Sequence, residues 1–361
     1  MSAGNSLPHV IRLMPKTELH VHLEGTLRPQ TLLELAARHR VSLPADSVAG
    51  VRQWFRFEDF AHFVDIYLHC CRCLRDPEDF QRVAEEFLTD QARQNILYSE
   101  AHFTVGTHLA NGVNGGEVAQ ALWETITNVE KRYGIKARLI PDIVRNVGVD
   151  RADQTLEWAL DGRRYGVVAL GLSGYESIPD DDFREHFRVA KKEGLGCVAH
   201  AGEHEGPETI SSALDLCEAE RIGHGIRALE DDDLIERLRD EQILLEICPT
   251  SNVCLGAVEN LSSHPIERLE SAAVPVTINS NDPALFDTSL SAEYLAVAEA
   301  FGWGIEKLAE LSSRALRFAF LDDDSRASLE DEYDARFEEL GIEYRVPRAD
   351  TERLVDQQTK L

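Results

Sequence analysis

The feature that most constrains how this chain can fold is an alternation repeated about eight times, in which a short β-like run is followed by a longer helix-like stretch. The runs are TELHVHLEG (17–25), ILYSEAHFTV (96–105), KARLIPDIV (136–144), VVALGLSG (167–174), GCVAHAGE (196–203), RIGHGI (221–226), ILLEICPTS (243–251) and VPVTINSND (274–282). Between them lie amphipathic stretches such as PQTLLELAARH, where Pro29 suits a first helical turn, and DFREHFRVAKKEG, closed by Gly194. Strand-then-helix order predicts a parallel sheet, and eight strands favour an α/β chain closed as a (β/α)8 TIM-type barrel over an open sheet. The segment 26–95 is too long for one crossover, so extra helices are expected after the first strand. No linker rich in Pro, Gly or Ser divides the 361 residues, which are read as one unit: a core over about 12–320 and an acidic helical tail over 321–361.

Charge narrows the partners. Lys plus Arg number 37 against 64 acidic residues, a net charge of -27. Such a surface repels a phosphate backbone, so no nucleic-acid partner is expected. Scarce Lys beside common Arg fits adaptation to high salt. The start, MSAGNSLPHVIRLMPKTE, has no cationic segment leading into an apolar run, and no apolar stretch reaches the length of a membrane helix. A cytoplasmic protein with no membrane partner is expected; oligomeric state is not legible. Seven cysteines on a long chain argue against a disulfide scaffold. The cluster HCCRC (His69, Cys70, Cys71, Cys73) lies in a helix-like segment without a second half-site, so buried core thiols are expected there rather than zinc.

In a barrel, chemistry belongs at the C-terminal ends of the strands. Along the first strand Leu19, Val21 and Leu23 share one face, and His20, His22 and Glu24 share the other with Glu18 one step deeper. A lone strand histidine is most often a hydrogen-bonded core residue. Two in register, followed by an acid and a Gly, point to a metal instead. His200 adds a third imidazole and Glu203 a carboxyl at the exit of the fifth strand, and three neutral imidazoles suit zinc with a position left for water. His204 and Glu205 read as loop residues. His224 stands between two glycines, where the chain can approach a ligand closely.

The motifs MPKTELHVHLEGTLRP, HAGE, RIGHG, CPTSN with a later HP, and NSNDPALF occur in the order and spacing of the adenosine deaminase family, which the chain resembles over about residues 12–320. The resemblance implies a (β/α)8 barrel of the wider amidohydrolase group, with one Zn2+ per chain. It implies hydrolytic conversion of a purine 6-amino group to a 6-oxo group with release of ammonia. It makes His20, His22 and His200 zinc ligands, with His22 also set against the substrate. Glu203 would protonate ring nitrogen N1, and His224 would hold and help deprotonate the attacking water. The backbone of Gly174 would meet a ring nitrogen, and Asp282 would bond N7. The cytidine-deaminase signature is absent.

One position departs from the family. Asn281 stands where the family has an Asp that ligates zinc and takes a hydrogen bond from the attacking hydroxide. Alternation of Thr277, Asn279 and Asn281 with Val276 and Ile278 predicts that Asn281 faces inward as a neutral, weaker ligand. Glu24 stands where many adenosine-specific members have Asp near the ribose. Adenosine or 2'-deoxyadenosine is the first substrate expected, 6-aminodeoxyfutalosine the second and adenine the third. Two readings of other kinds stand beside these. A two-metal hydrolase would need a bridging Lys or carboxylate on the fourth strand, which VVALGLSG does not offer. A purine-binding protein without turnover is suggested by Asn281 alone.

Overall fold

The structure is a computed structural model that describes residues 6–347; the part of the acidic tail beyond residue 347 lies outside the described residues. Eight strands form one sheet in sequential order: β1 (Lys16–His22), β2 (Ile96–Phe103), β3 (Lys136–Val144), β4 (Ala169–Ser173), β5 (Gly196–Ala201), β6 (Arg221–His224), β7 (Leu244–Ile247) and β8 (Val276–Ile278). Every neighbouring pair from β1–β2 to β7–β8 is parallel. The remaining seam closes through Asn281, whose N–H donates to His20 O at 3.1 Å and whose carbonyl accepts from His22 N at 2.8 Å. The side chain of Asn279 adds to it, its Oδ1 accepting from the N–H of Leu19 at 3.0 Å and of His20 at 3.1 Å. This is the expected (β/α)8 barrel.

The long first crossover holds four helices, Pro29–His39, Val48–Trp54, Phe60–Arg72 and Pro77–Arg93. Local chemistry sets their starts. Pro29 and Pro77 occupy first turns, Asp59 caps His62 N, and Asp76 and Asp79 form a capping box. Cys70, Cys71 and Cys73 are buried at the end of the helix Phe60–Arg72, as the thiol reading expected. The tail begins as the helix Asp323–Leu340, packed on the barrel through Tyr333, whose hydroxyl lies 2.8 Å from Thr17 Oγ1.

The barrel interior is unusual for its charge. A small apolar plug of Ile140, Ala169 and Val198 packs with Phe320. Arg221 lies over the Phe320 ring at 4.1 Å and pairs with Glu100 at 2.6 Å and Glu246 at 2.7 Å, all fully buried. Two carboxylates thus share one guanidinium in the low-dielectric centre, directly beneath the histidines.

Candidate active site

β1 carries His20 and His22 and β5 carries His200, and one ligand nitrogen from each lies within 4.8 Å of the other two. His20 Nδ1 meets Glu246 Oε2 at 2.8 Å and His200 Nδ1 meets the carbonyl of Leu172 at 2.9 Å. Both partners accept, so the proton sits on Nδ1 and the Nε2 lone pair is free. His20 Nε2 is buried without a partner, and Nε2 of His22 faces Nε2 of His200 at 3.1 Å. Burial holds the pKa of all three below the ordinary imidazole range, to about 3 for His22, where neighbouring His102 adds to the effect. Neutral, inward lone pairs fit a zinc ion. Gly223 makes the approach possible, since a Cβ there would come within 2.7 Å of His20 Cε1.

Beside this cluster Asn252 ties three groups together. Its amide nitrogen donates to Glu203 Oε1 at 2.8 Å and lies 3.2 Å from His224 Nδ1, and its carbonyl oxygen lies 3.2 Å from His264 Nε2. CPTSN and the later HP are thus one contact rather than two turns. Burial alone would raise the pKa of Glu203, but His224, His204 and the Asn252 amide outweigh it and hold the carboxyl at about 2. His224 is kept below its usual range by burial, and its backbone is left-handed at φ 63°, a conformation that costs energy in a non-glycine residue. Glu176 secures the loop, its carboxylate accepting from the N–H groups of Glu203, His204 and Glu205 at 3.0–3.3 Å.

Asn281 reaches the cavity by a route that strand alternation did not foresee. β8 ends at Ile278, and Asn281 sits beyond it with φ 61°. Its Nδ2 donates to Ser251 Oγ at 2.9 Å, while its Oδ1 is buried and unpartnered. Glu18, for which the sequence suggested no role, steadies this turn by accepting from Ser280 N at 2.8 Å and from Ser280 Oγ and Gln91. Asp282 follows with both carboxyl oxygens buried and unpartnered, its pKa raised well above normal by burial and by Glu24 and Glu203. A Cβ on Gly25 would fall on the Asp282 carboxyl, which explains the glycine of HVHLEG. Gly174 has φ 89° and also borders the cavity.

Glu24 lies in a short turn after β1, fully buried behind Tyr67 and Thr104 of the cavity lining. Its carboxyl accepts from Thr104 N at 2.9 Å, Thr104 Oγ1 at 2.6 Å, Tyr67 OH at 3.0 Å and His108 Nε2 at 2.9 Å. Burial would raise its pKa, but His108 and Thr104 outweigh it and bring it to about 2. Glu24 therefore anchors Tyr67 and Thr104, two residues of the pocket wall.

The cavity opens outward from these groups, with a volume of about 760 Å³ including its mouth. The helix Phe60–Arg72 lays Phe60, Phe63, Val64, Tyr67 and Leu68 along it. Among the described residues no Lys or Arg lines it. His102 and Asp142, which lie deeper, were missed by the sequence reading although period two places Tyr98, Glu100 and His102 on one face of β2.

A model of the adenosine deaminase family matches residues 15–336. The chain belongs to the adenosine deaminase family. Family membership makes it a hydrolase acting on C–N bonds. It is 39% identical to an aminodeoxyfutalosine deaminase of Streptomyces coelicolor over 89% of this chain and 84% of that protein. It is 37% identical to an adenine deaminase of the same organism over 93% of this chain and 97% of that one. Among solved structures, the adenine deaminase of Arthrobacter aurescens superposes with a TM-score of 0.84 at 30% identity, covering 89% of this chain and 98% of that one. Among the described residues no helix is long and apolar enough to cross a membrane.

Proposed function

We propose that the chain hydrolyses the 6-amino group of a 6-aminopurine nucleoside, replacing it with oxygen from water and releasing ammonia. The observation that carries this reading is the convergence on one cavity floor of three neutral imidazoles, an ionised carboxylate and an unpartnered carboxyl. His20, His22 and His200 would hold a zinc ion, with the Oδ1 of Asn281 as a neutral fourth donor. Bound there, zinc is a Lewis acid that makes a hydroxide nucleophile accessible near neutral pH.

This chain's own groups manage the protons. Of the two protons of the attacking water, Glu203 would pass one to N1, which makes C6 electrophilic, and the other would leave on the amine as ammonia. His224, whose Nδ1 lies 3.4 Å from Glu203 Oε1, would take a proton from the attacking water and hand it to the leaving amine. Asp282, buried with both carboxyl oxygens unpartnered, would hydrogen-bond N7. The backbone of Gly174 borders the base.

The absence of Lys and Arg from the cavity lining supports a nucleoside over a nucleotide, because a phosphate dianion would be buried with no cation. Aminodeoxyfutalosine and adenosine are the nucleosides to try first. A second reading, free adenine, draws support from Glu24, which is withdrawn from the wall where it would have met a sugar. The test is ammonia release by the zinc-loaded protein with aminodeoxyfutalosine, adenosine, adenine and AMP at equal concentration. A nucleoside should give the highest kcat/KM and AMP the lowest; adenine ahead of both nucleosides would install the second reading.

A further inference from the structure

Of the three histidines assigned to the metal, two have their second ring nitrogen fixed, His20 by Glu246 and His200 by the carbonyl of Leu172. His22 is the third, and its Nδ1 is buried with no partner at hydrogen-bond distance. Facing it at 3.8 Å is Oδ2 of Asp142 on β3, also buried and unpartnered. The other oxygen of Asp142 is held by Nδ1 of His102 at 2.8 Å, and the His102 ring lies 4.7 Å from that of His20 and 5.1 Å from that of His22. Two buried polar atoms without hydrogen-bond partners that face each other are costly unless some state of the protein joins them.

The backbone has made room for this carboxylate. Asp142 is paired with Gly171 in the β3–β4 register, and a Cβ on Gly171 would fall on the Asp142 carboxyl. The fourth strand carries no acid of its own, and the third strand's acid occupies the space beside its glycine.

We propose that Asp142 is a positioning residue for the metal site, clamped by His102 and receiving the Nδ1 proton of His22 once the Nε2 of His22 is committed to a metal. A small rotation of the imidazole closes the 3.8 Å separation to a hydrogen bond. The three histidines are then oriented alike, each by an acceptor on its far nitrogen. This inference rests on the proposed metal site.

The test is zinc affinity, measured on chelator-stripped protein by competition with a chromophoric chelator, with thermal melting of metal-free and zinc-loaded samples. Asp142→Asn keeps the volume and should weaken zinc about 10- to 100-fold, while its metal-free melting temperature stays with the parent's. Gly171→Ala displaces the same carboxyl without altering a charged group and should weaken zinc similarly, and the double variant should be no worse than the weaker single one. Zinc affinity of Asp142→Asn equal to the parent's overturns the positioning role and leaves the metal site standing. A parent protein that takes up no zinc overturns both.

Discussion

Asn281 donates its side-chain amide to Ser251 Oγ at 2.9 Å, and this single bond decides which end of the side chain faces the candidate metal site. The carbonyl oxygen is left inward and unpartnered, so the position where the family has a carboxylate offers a neutral donor. Restoring the charge should tighten the metal. Asn281→Asp is expected to raise zinc affinity about tenfold or more, the order that even outer groups contribute, and to raise kcat with it. Competition titration and turnover of the two proteins side by side check this; equal values would show that three imidazoles suffice.

Glu203 should be indispensable to chemistry and dispensable to metal binding. Glu203→Gln keeps the Asn252 contact but cannot carry a proton, and a loss of about 10²- to 10⁴-fold in kcat is expected. Zinc content measured on the same sample should stay at the parent's level.

Gly25 is predicted to matter because of Asp282. Gly25→Ala places a methyl where the Asp282 carboxyl lies, and relief of that overlap costs about 1–3 kcal/mol. KM should rise as the base loses its N7 partner, and Asp282→Asn should raise it as well. An unchanged KM in Gly25→Ala with an intact melting profile would separate Asp282 from substrate binding.

Away from the site, Glu293 offers a pH test. Burial pushes its pKa up from 4.5 to about 7, against the N–H of Thr250 and the hydroxyl of Thr288, which pull it down. A raised carboxyl binds its proton more tightly in the folded chain, so its contribution to stability is greatest below about 4.5 and falls as pH rises towards 7. Glu293→Gln should remove that dependence. Its melting temperature relative to the parent is expected to climb between those two pH values and to level off above them.

The thiols of HCCRC should be irrelevant to metal. Burial raises the pKa of Cys70 and Cys71 well above normal and that of Cys73 to about 12, so none is a ready thiolate ligand. Replacing Cys71 and Cys73 by Ala is expected to cost about 1 kcal/mol each in stability and to leave one zinc per chain by elemental analysis.

What the sequence alone determined was local and periodic. Eight apolar runs separated by amphipathic helices specify a parallel barrel, because period two and period 3.6 are properties of consecutive residues. For the same reason His20 and His22 were legible as a pair, and His200, Glu203 and His224 were legible at the ends of their own strands. The glycines of HVHLEG and RIGHG were visible as glycines, but their purpose was not. Gly25 yields to Asp282 and Gly223 to His20, contacts between strands that the chain order does not reveal.

Tertiary structure decided the direction of each carboxyl and amide. Glu24 was placed at the substrate by its position in the motif, and only the fold shows that Thr104, Tyr67 and His108 converge on its carboxyl from elsewhere in the chain. Asn281 was brought inward by a left-handed backbone at the barrel seam and by Ser251, where strand alternation had been expected to do it. Asp142 comes to face His22 at 3.8 Å with Gly171 opposite it in the β3–β4 register, where a side chain would take its place. A sequence states which groups a strand exposes to the barrel axis; which of them touch depends on the relative register and closure of eight strands, and that is settled only when the whole sheet is assembled.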